Sequence, residues 1–317
     1  MSEAPPFVDV HTHFVTERYV RAAREAGIGR PDGMPDWPSW SARGALALMD
    51  EARIGLSVLS VSSPGTHFGD DAAARALSRE VNEFGAGLRR ERPDRFGHFA
   101  ALPLPDVEGA LAEAAYALDV LGADGLAVET NARGVYLGDA RCAPLWAELD
   151  RRGAIVFVHP TSPPGWEALT SGRPRPMMEF LFDTARAAAD LVLGGVTVRH
   201  PGIRWILTHG GGALPLLAAR LELFRTLFDG DGDGDLDVRA ELGGLWYDLA
   251  GTPFPDQVPA VERAFGLDRV LYGSDSCWTP APGVLAQVAS IDAAEAPEGS
   301  TWRALTTRNA RRLFSGG

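Results

Sequence analysis

The sequence predicts an α/β protein, and within that class a (β/α)8 TIM barrel, on three observations. Short apolar runs rich in β-branched residues alternate with amphipathic stretches along nearly all of the 317 residues, which is typical of βα units and a parallel sheet. Eight such runs occur, a number that favours one closed barrel domain over residues 1–317. Several runs end at a histidine or an aspartate, and the carboxyl ends of barrel strands are where barrels carry functional side chains.

The predicted strands leave room for a helix after almost every strand. They cover residues 7–10, 56–61, 97–102, 124–129, 154–158, 203–208, 245–250 and 269–273. Amphipathic spacing predicts helices at residues 41–53, 71–90, 107–121, 140–152, 178–195, 212–228 and 256–265. The segment from Thr301 to Phe314 predicts a closing helix packed on the barrel exterior. No Gly-x-Gly-x-x-Gly pattern follows the first strand, which disfavours an open dinucleotide-binding sheet.

Four segments interrupt this alternation. Residues 27–40, 160–177 and 276–300 are rich in proline, glycine or tryptophan, and each follows a predicted strand. We expect all three to be extended loops at the carboxyl-end face, where they would form a pocket and its lid. The acidic segment 229–237 resembles a calcium loop, but Ala240 stands where a bidentate glutamate is needed, so we predict a solvated acidic turn.

Composition narrows the class of partner. The net charge is −12 and no basic stripe is present, which disfavours nucleic acid and anionic membranes. The two cysteines, Cys142 and Cys277, are typical of reduced thiols, and no signal peptide or membrane-length apolar run is seen, so we expect a soluble cytoplasmic protein. All 30 basic residues are arginine, which removes lysine-based Schiff-base chemistry.

Five polar residues follow predicted strands. His11 and His13 follow the first strand, and His159, His209 and Asp275 follow the fifth, sixth and eighth. Singly, His159 has a structural alternative as a satisfied buried imidazole, and Asp275 has one as a helix cap. Because carboxyl ends of barrel strands meet at one face, the five together predict a metal site instead.

Several motifs carry a family resemblance over nearly the whole chain. They are Val8–Phe14, Phe157–Pro160, Leu207–Gly211, Tyr272–Asp275 and Asn309–Phe314. These motifs resemble the amidohydrolase superfamily, specifically its amidohydrolase-2 branch, which contains aminocarboxymuconate-semialdehyde and γ-resorcylate decarboxylases. The stretch Asn131–Asp139, followed by Pro144–Trp146, is most similar to 6-methylsalicylate decarboxylase-like sequences.

The resemblance implies roles for the five polar residues. It makes His11, His13, His159 and Asp275 the ligands of one divalent transition metal, with Zn favoured and Mn possible. It makes His209 a catalytic histidine, and either His209 or Asp275 the donor of a proton to the substrate. Binuclear relatives bridge their metals with a carboxylated lysine, and the missing lysine therefore implies one metal here.

The resemblance leaves the substrate anchor unassigned. Ala47 stands where the semialdehyde decarboxylase places a carboxylate-binding arginine, so Arg43, Arg133 and His67 are the candidates to bind a substrate carboxylate. Trp278 is the candidate to contact an aromatic ring. Together with Trp278, four further aromatic residues could form the wall of such a pocket: Phe14, Trp37, Trp40 and Phe68. Each of the five has packing within loops as an equal alternative.

The favoured function is a metal-dependent non-oxidative decarboxylase of an aromatic or unsaturated carboxylic acid, with a 6-methylsalicylate-like hydroxybenzoate preferred. The same ligands suit a metal-dependent hydrolase of a lactone, ester or amide, which is the alternative. A binding protein without activity is a third possibility, against which the complete ligand set argues. The resemblance also implies a small-molecule acid as partner and a homodimer or homotetramer.

Overall fold

Eight parallel strands form the centre of the molecule, and their order follows the chain. A computed structural model describes residues 4–169, 172–228 and 236–315. The barrel strands are β1 (Phe7–His13), β2 (Ile54–Ser60), β3 (Phe96–Ala101), β4 (Gly125–Glu129), β5 (Ile155–His159), β6 (Arg204–Leu207), β7 (Trp246–Asp248) and β8 (Val270–Leu271). All eight predicted strands are present, with ends that shift by a few residues.

The sheet closes on itself where β8 meets β1. Asp9 and Thr12 of β1 pair in parallel with Tyr272 and Ser276, and the amide of Val10 donates to the carbonyl of Tyr272 at 3.0 Å. This closure satisfies the backbone groups of both edge strands. The TIM-barrel prediction is therefore confirmed.

Helices cover the outside of the barrel between the strands. They are α1 (Glu17–Glu25), α2 (Ala42–Ala52), α3 (Asp71–Glu91), α4 (Val107–Tyr116), α5 (Ala143–Arg151), α6 (Glu179–Leu193), α7 (Val196–Arg199), α8 (Leu214–Phe228), α9 (Val238–Gly243), α10 (Val258–Phe265), α11 (Ala281–Ala293) and α12 (Trp302–Ser315). Several begin at a side chain that accepts an amide hydrogen bond, such as Ser41, Asp70 and Asp106. No helix of the described ranges is long and apolar enough to cross a bilayer.

Parts of the sequence reading need correction. Segment 276–300 is not a continuous loop, because it contains α11, whose buried face spaces Val284, Val288 and Ile291 at helical intervals. The helices α1 and α9 were also not predicted. Proline and glycine near the start of α11 concealed its periodicity. The acidic segment 229–237 lies almost entirely outside the described residues.

The closing helix α12 also differs from the prediction. Its residues Ala310 and Leu313 belong to the same apolar cluster as Val10, Phe99 and other side chains that point into the barrel. The ring of Phe314 stacks on Phe99 at a centroid distance of 6.3 Å. The helix therefore closes the amino end of the barrel instead of packing only on its exterior.

A β-bulge in β1 decides which side chains enter the barrel. Between Asp9 and Thr12 the strand contains one residue more than its partner segment Ser57–Leu59 of β2. Side chains normally alternate between the faces of a strand, and an extra residue reverses that alternation. Val10 below the bulge and His11 above it consequently both face the interior, where Val10 packs in the core and His11 lies 5.1 Å from the ring of Phe157.

Two glycines of α3 should respond in opposite ways to alanine. A Cβ at Gly85 would lie 2.5 Å from the ring of the buried His98, whereas a Cβ at Gly87 would meet only Arg90, at 3.9 Å. We expect Gly85→Ala to lower the free energy of unfolding by about 1–3 kcal/mol through overpacking. Gly87→Ala should raise it by about 0.5–1 kcal/mol through helix propensity. Urea unfolding of both variants tests this, and equal effects would contradict the packing argument.

Candidate metal centre

Four of the predicted residues meet at the carboxyl end of the barrel. His11 and His13 end β1, His159 is the last residue of β5, and Asp275 lies beyond β8. One nitrogen or oxygen of each lies within 4.8 Å of the corresponding atoms of the other three. The structure thus brings the predicted ligands into a single cluster, although the chain separates them by up to 264 residues.

The cluster fits a divalent metal ion. The Nε2 atoms of His11 and His13 are buried without a hydrogen-bond partner among the described residues, and they lie 3.4 and 3.3 Å from Oδ1 of Asp275. Buried polar atoms without partners are costly unless something binds them. Three imidazoles and one carboxylate form a donor set that suits zinc and equally suits manganese.

The outward-facing nitrogens of these imidazoles are held by neighbouring groups. His11 Nδ1 lies 2.9 Å from Oδ2 of Asp248, His13 Nδ1 lies 3.0 Å from Oγ of Ser60, and His159 Nδ1 lies 2.7 Å from the carbonyl of Pro160. Hydrogen bonds of this kind place the proton on Nδ1 and leave Nε2 free to bind a metal. All three rings are therefore oriented towards the centre of the cluster.

Electrostatic interactions shift the pKa values of the clustered side chains. Burial alone would raise the pKa of Asp275, but the imidazoles of His11, His13 and His209 hold that pKa well below its usual range. Burial, together with the neighbouring His13 and His11, lowers the pKa of His159 far below its usual value. For His11 the carboxylates of Asp248 and Asp275 overcome burial and raise the pKa to about 10. A divalent ion that binds here would therefore displace a proton from His11, beside the ionised carboxylate of Asp275.

His209 lies beside the cluster in a strained turn. Its φ of 53° and the φ of 57° at Asp275 are in the left-handed region, which non-glycine residues seldom occupy. The amide of His209 donates to Oδ1 of Asp248 at 2.9 Å, and its Nε2 lies 3.6 Å from Oδ2 of Asp275. Strain of this kind persists where the surroundings fix the residue, and here it points His209 towards the predicted ligands.

An apolar cavity of about 360 Å³ opens above these residues. His159, His209 and Asp275 form one side of it, and the other walls are largely apolar: Met34, Met177, Phe180, Leu181 and Trp278. The indole nitrogen of Trp278 donates to Oγ of Ser62 at 2.6 Å, which fixes the ring in the wall. This volume and lining suit a small aromatic ligand.

Comparison with known proteins agrees with this geometry. Residues 8–316 match the family model described as amidohydrolase. The chain belongs to the amidohydrolase family. It is 36% identical over 321 residues to 6-methylsalicylic acid decarboxylase acuB of Aspergillus aculeatus, covering 97% of this chain and 95% of that protein.

Two solved structures share the fold. The crystal structure of an amidohydrolase II, a structural genomics target, superposes with a TM-score of 0.90 at 31% identity and covers 98% of this chain and 99% of its own. A dihydroxybenzoic acid decarboxylase from Polaromonas sp. JS666, with bound manganese and the inhibitor 2-nitroresorcinol, gives a TM-score of 0.84 at 23% identity, covering 98% of this chain and 97% of its own. At that identity the second likeness concerns the fold alone.

The predicted substrate contacts of this amidohydrolase lie in different places. Trp278 lines the 360 Å³ cavity, whereas His67 and Arg133 line a neighbouring cavity of about 630 Å³. Both ring nitrogens of His67 already have partners, Asp71 at 2.8 Å and the amide of Gly69 at 3.2 Å. Arg43 is exposed on α2 and lines neither cavity. A role for these residues in binding substrate stays a prediction.

The other candidate aromatic residues mostly pack against aromatic residues of the outer helices. Phe14 and Trp40 pack against Phe84, and Trp37 packs against Tyr19 and Trp278, at centroid distances between 5.4 and 6.0 Å. Phe68 lines the larger cavity. Of the five aromatic residues singled out from the sequence, Trp278 is the one that lines the cavity of about 360 Å³.

The sequence reasoning missed three carboxylates of the amidohydrolase site. Asp248 and Glu129 end β7 and β4, so the strand-end rule that identified the ligands would also have identified them. Asp32 gave no such signal, since it lies in the loop before α2. It is buried with a φ of 48°, and it accepts hydrogen bonds from Ser63 Oγ at 2.7 Å and Ser162 Oγ at 2.5 Å.

The thiol near the cluster is inert. Cys277 lies two residues beyond Asp275, and burial raises the pKa of its thiol to about 12. The protonated form is a poor nucleophile. This agrees with the prediction from the sequence of a reduced thiol at Cys277.

Removing the charge of Asp248 should weaken metal binding. Asp248→Asn keeps the shape of the side chain but replaces the carboxylate that faces His11 Nδ1, and losing such a partner costs about 10–100-fold in metal affinity. Competition of the purified variant with a chromophoric chelator, for zinc and for manganese, measures the change. The exposed Asp94→Asn is the matched control and should bind both ions as the wild type does. Unchanged affinity in Asp248→Asn would contradict the proposed support.

Proposed function

We propose that this amidohydrolase is a metal-dependent, non-oxidative decarboxylase of an aromatic carboxylic acid, with a 6-methylsalicylate-like hydroxybenzoate as the preferred substrate. The observation that carries the proposal is the convergence of three imidazoles and a carboxylate at one side of a small apolar cavity. The similarity of the whole chain to a 6-methylsalicylic acid decarboxylase supports the choice of reaction.

We propose that His11, His13, His159 and Asp275 hold one divalent ion, zinc or manganese, with zinc favoured. When bound, such an ion supplies Lewis-acid stabilisation of the substrate carboxylate and of the charge that develops as the reaction proceeds. The sequence contains no lysine, so the carboxylated lysine that bridges two metals in binuclear relatives has no counterpart.

The described residues of the cavity wall offer no arginine to the substrate carboxylate, which would therefore bind through the proposed metal ion. Among the described residues that line the 360 Å³ cavity there is no arginine, and its acidic members are Asp32 and Asp275. A guanidinium that clamps the carboxylate is therefore absent from this wall. The apolar side chains of Phe180, Leu181 and Trp278 would hold the aromatic ring and exclude water around it.

Proton delivery falls to residues of the chain. When the bond between the ring and the carboxylate breaks, carbon dioxide leaves and the electron pair stays on the ring carbon, which must gain one proton. Asp275 and His209 are the candidates to donate it, but the ionised Asp275 must first gain a proton itself. Its Oδ2 lies 3.6 Å from Nε2 of His209 beside the cavity, which makes His209 the more direct donor. His209 would then recover its proton from solvent, to which 11% of its side chain is exposed.

The amidohydrolase family model, which matches residues 8–316, supports the interpretation of the chain as one domain. A cytoplasmic location and a homodimer or homotetramer stay predictions. A hydrolase of lactones, esters or amides would use the same residues and is an outcome of the first test.

Purified protein should contain about one equivalent of transition metal and should release carbon dioxide from 6-methylsalicylate. Removal of the metal by a chelator should abolish that release, because the proposed ion orients the substrate carboxylate. Addition of zinc or manganese should restore it. Metal analysis and a coupled assay of carbon dioxide measure both effects. Turnover of lactones or amides without carbon dioxide would identify the hydrolase instead. Full activity without metal would contradict the proposed metal site.

His209→Asn should slow the reaction without removing the metal. The loss of a proton donor costs about 10²–10⁴-fold in kcat, while the four proposed ligands remain in place. Steady-state kinetics and metal analysis of the same preparation separate the two effects. His200→Asn, at the end of α7, precedes β6 and does not line the cavity, so it is the control and should keep wild-type kcat. A kcat unchanged in His209→Asn would remove that residue from the mechanism.

A further inference from the structure

One polar side chain in the wall of the 360 Å³ cavity, Gln257, has no role in the proposed reaction. Gln257 lies at the start of α10 and lines the 360 Å³ cavity together with His209 and Asp275. Its Oε1 atom is shielded from solvent and accepts no hydrogen bond from the described residues. A buried amide oxygen without a donor is costly, so a position that keeps one calls for an explanation in terms of ligand binding.

Several other polar oxygens of this cavity wall are already engaged in hydrogen bonds. Oγ of Ser62 accepts from Trp278, Oγ of Ser63 donates to Asp32, and both oxygens of Asp32 accept hydrogen bonds. Among the described residues that line the cavity, Gln257 Oε1 and His209 Nδ1 are the shielded side-chain atoms without a partner. A ligand that enters the cavity would therefore find one unused acceptor in Gln257.

The local backbone fixes Gln257 close to the catalytic histidine. A Cβ on Gly210, the residue after His209, would lie 2.9 Å from Cγ and 3.1 Å from Cδ of Gln257. Glycine at 210, with a φ of 61°, thus allows the side chain of Gln257 to pack directly on the turn that carries His209. The carboxamide is held beside the reacting groups by packing instead of by hydrogen bonds.

The chemistry of these unused atoms selects a hydroxyl group. An amide oxygen needs a donor, and Nδ1 of His209 in the same cavity wall can donate or accept according to its tautomer. A phenolic hydroxyl supplies one donor and accepts in return, whereas a methyl, methoxy or hydrogen substituent leaves the acceptor unpaired. Sites that bind a substrate hydroxyl discriminate strongly against analogues that lack it.

We infer that Gln257 is a specificity-determining residue, whose Oε1 accepts a hydrogen bond from a ring hydroxyl of the substrate. The inference rests on the proposed function, since it assigns a residue to the hydroxyl of a hydroxybenzoate bound in the same cavity. It adds a recognition element that the metal ligands do not provide, and it explains how a cavity with apolar walls distinguishes hydroxylated from plain benzoates.

Binding of three acids to the metal-loaded protein tests this assignment. The acids are 6-methylsalicylate, its methyl ether and 2-methylbenzoate, which differ in whether the ring oxygen can donate, can only accept, or is absent. Affinities are measured by stopped-flow quenching of tryptophan fluorescence, which reports binding before turnover, on wild type, Gln257→Met, Gln257→Leu and Glu262→Met. The last variant places methionine at an exposed position of the same helix and is the matched control.

Wild type and Glu262→Met should bind 6-methylsalicylate about 10–100-fold more tightly than either analogue. In Gln257→Met that preference should shrink to about threefold or less, through weaker binding of the hydroxylated acid alone, with metal content unchanged. Gln257→Leu provides the same comparison if the methionine variant does not fold.

A preference that survives in a folded, metal-loaded Gln257 variant would overturn the inference. So would a methyl ether that binds wild type as tightly as the phenol does. Neither result would contradict the proposed reaction, because the reaction is tested separately by the release of carbon dioxide from wild type. Conversely, wild type that binds the hydroxylated acid selectively but releases no carbon dioxide would refute the reaction and retain the role of Gln257.

Discussion

The buried carboxylate of Asp248 is the group on which the rest of the site depends. One of its oxygens meets Nδ1 of His11 at 2.9 Å, and the other accepts the amides of His209 and Ala250 at 2.9 and 3.0 Å. It therefore orients a proposed ligand of β1 and the proposed acid that follows β6 from a single position at the end of β7. Burial alone would raise its pKa, but His11 lowers it and keeps the group ionised, so the orientation is electrostatic as well as steric.

A second carboxylate, Asp32, organises the loops above the barrel. Ser63 follows β2 and Ser162 follows β5, and both donate to Asp32, which belongs to the loop before α2. Arg175 joins the same network by donating from Nε to Oγ of Ser162 at 2.8 Å. Three separate loops are thereby fixed over the cavity, and the apolar residues they carry become a wall of defined shape. Preorganisation of this kind lets a small cavity select its ligand.

The distribution of roles follows the architecture of the barrel. The amino end is closed by Ala310 and Leu313 of α12, and the centre is filled by inward-facing side chains such as Phe99 and Phe157. The carboxyl end carries the cluster of three imidazoles and one carboxylate, and the left-handed residues His209 and Asp275 occur there. Stable packing below the site offsets strained backbone within it, as is common where geometry serves a reaction.

The amino-acid sequence by itself determined the alternation of strands and helices, and it placed His11, His13, His159 and Asp275 at strand ends. Those features are local, because they depend on periodicity of two or 3.6 residues and on where an apolar run stops. Tertiary structure decided the rest. The bulge that turns His11 inward depends on register with β2, the contact of Asp248 with His11 spans 237 residues, and the packing of Gln257 requires a glycine at 210. Such relations arise only when distant segments of a closed barrel become neighbours, and no local pattern in the chain records which distant segments will meet.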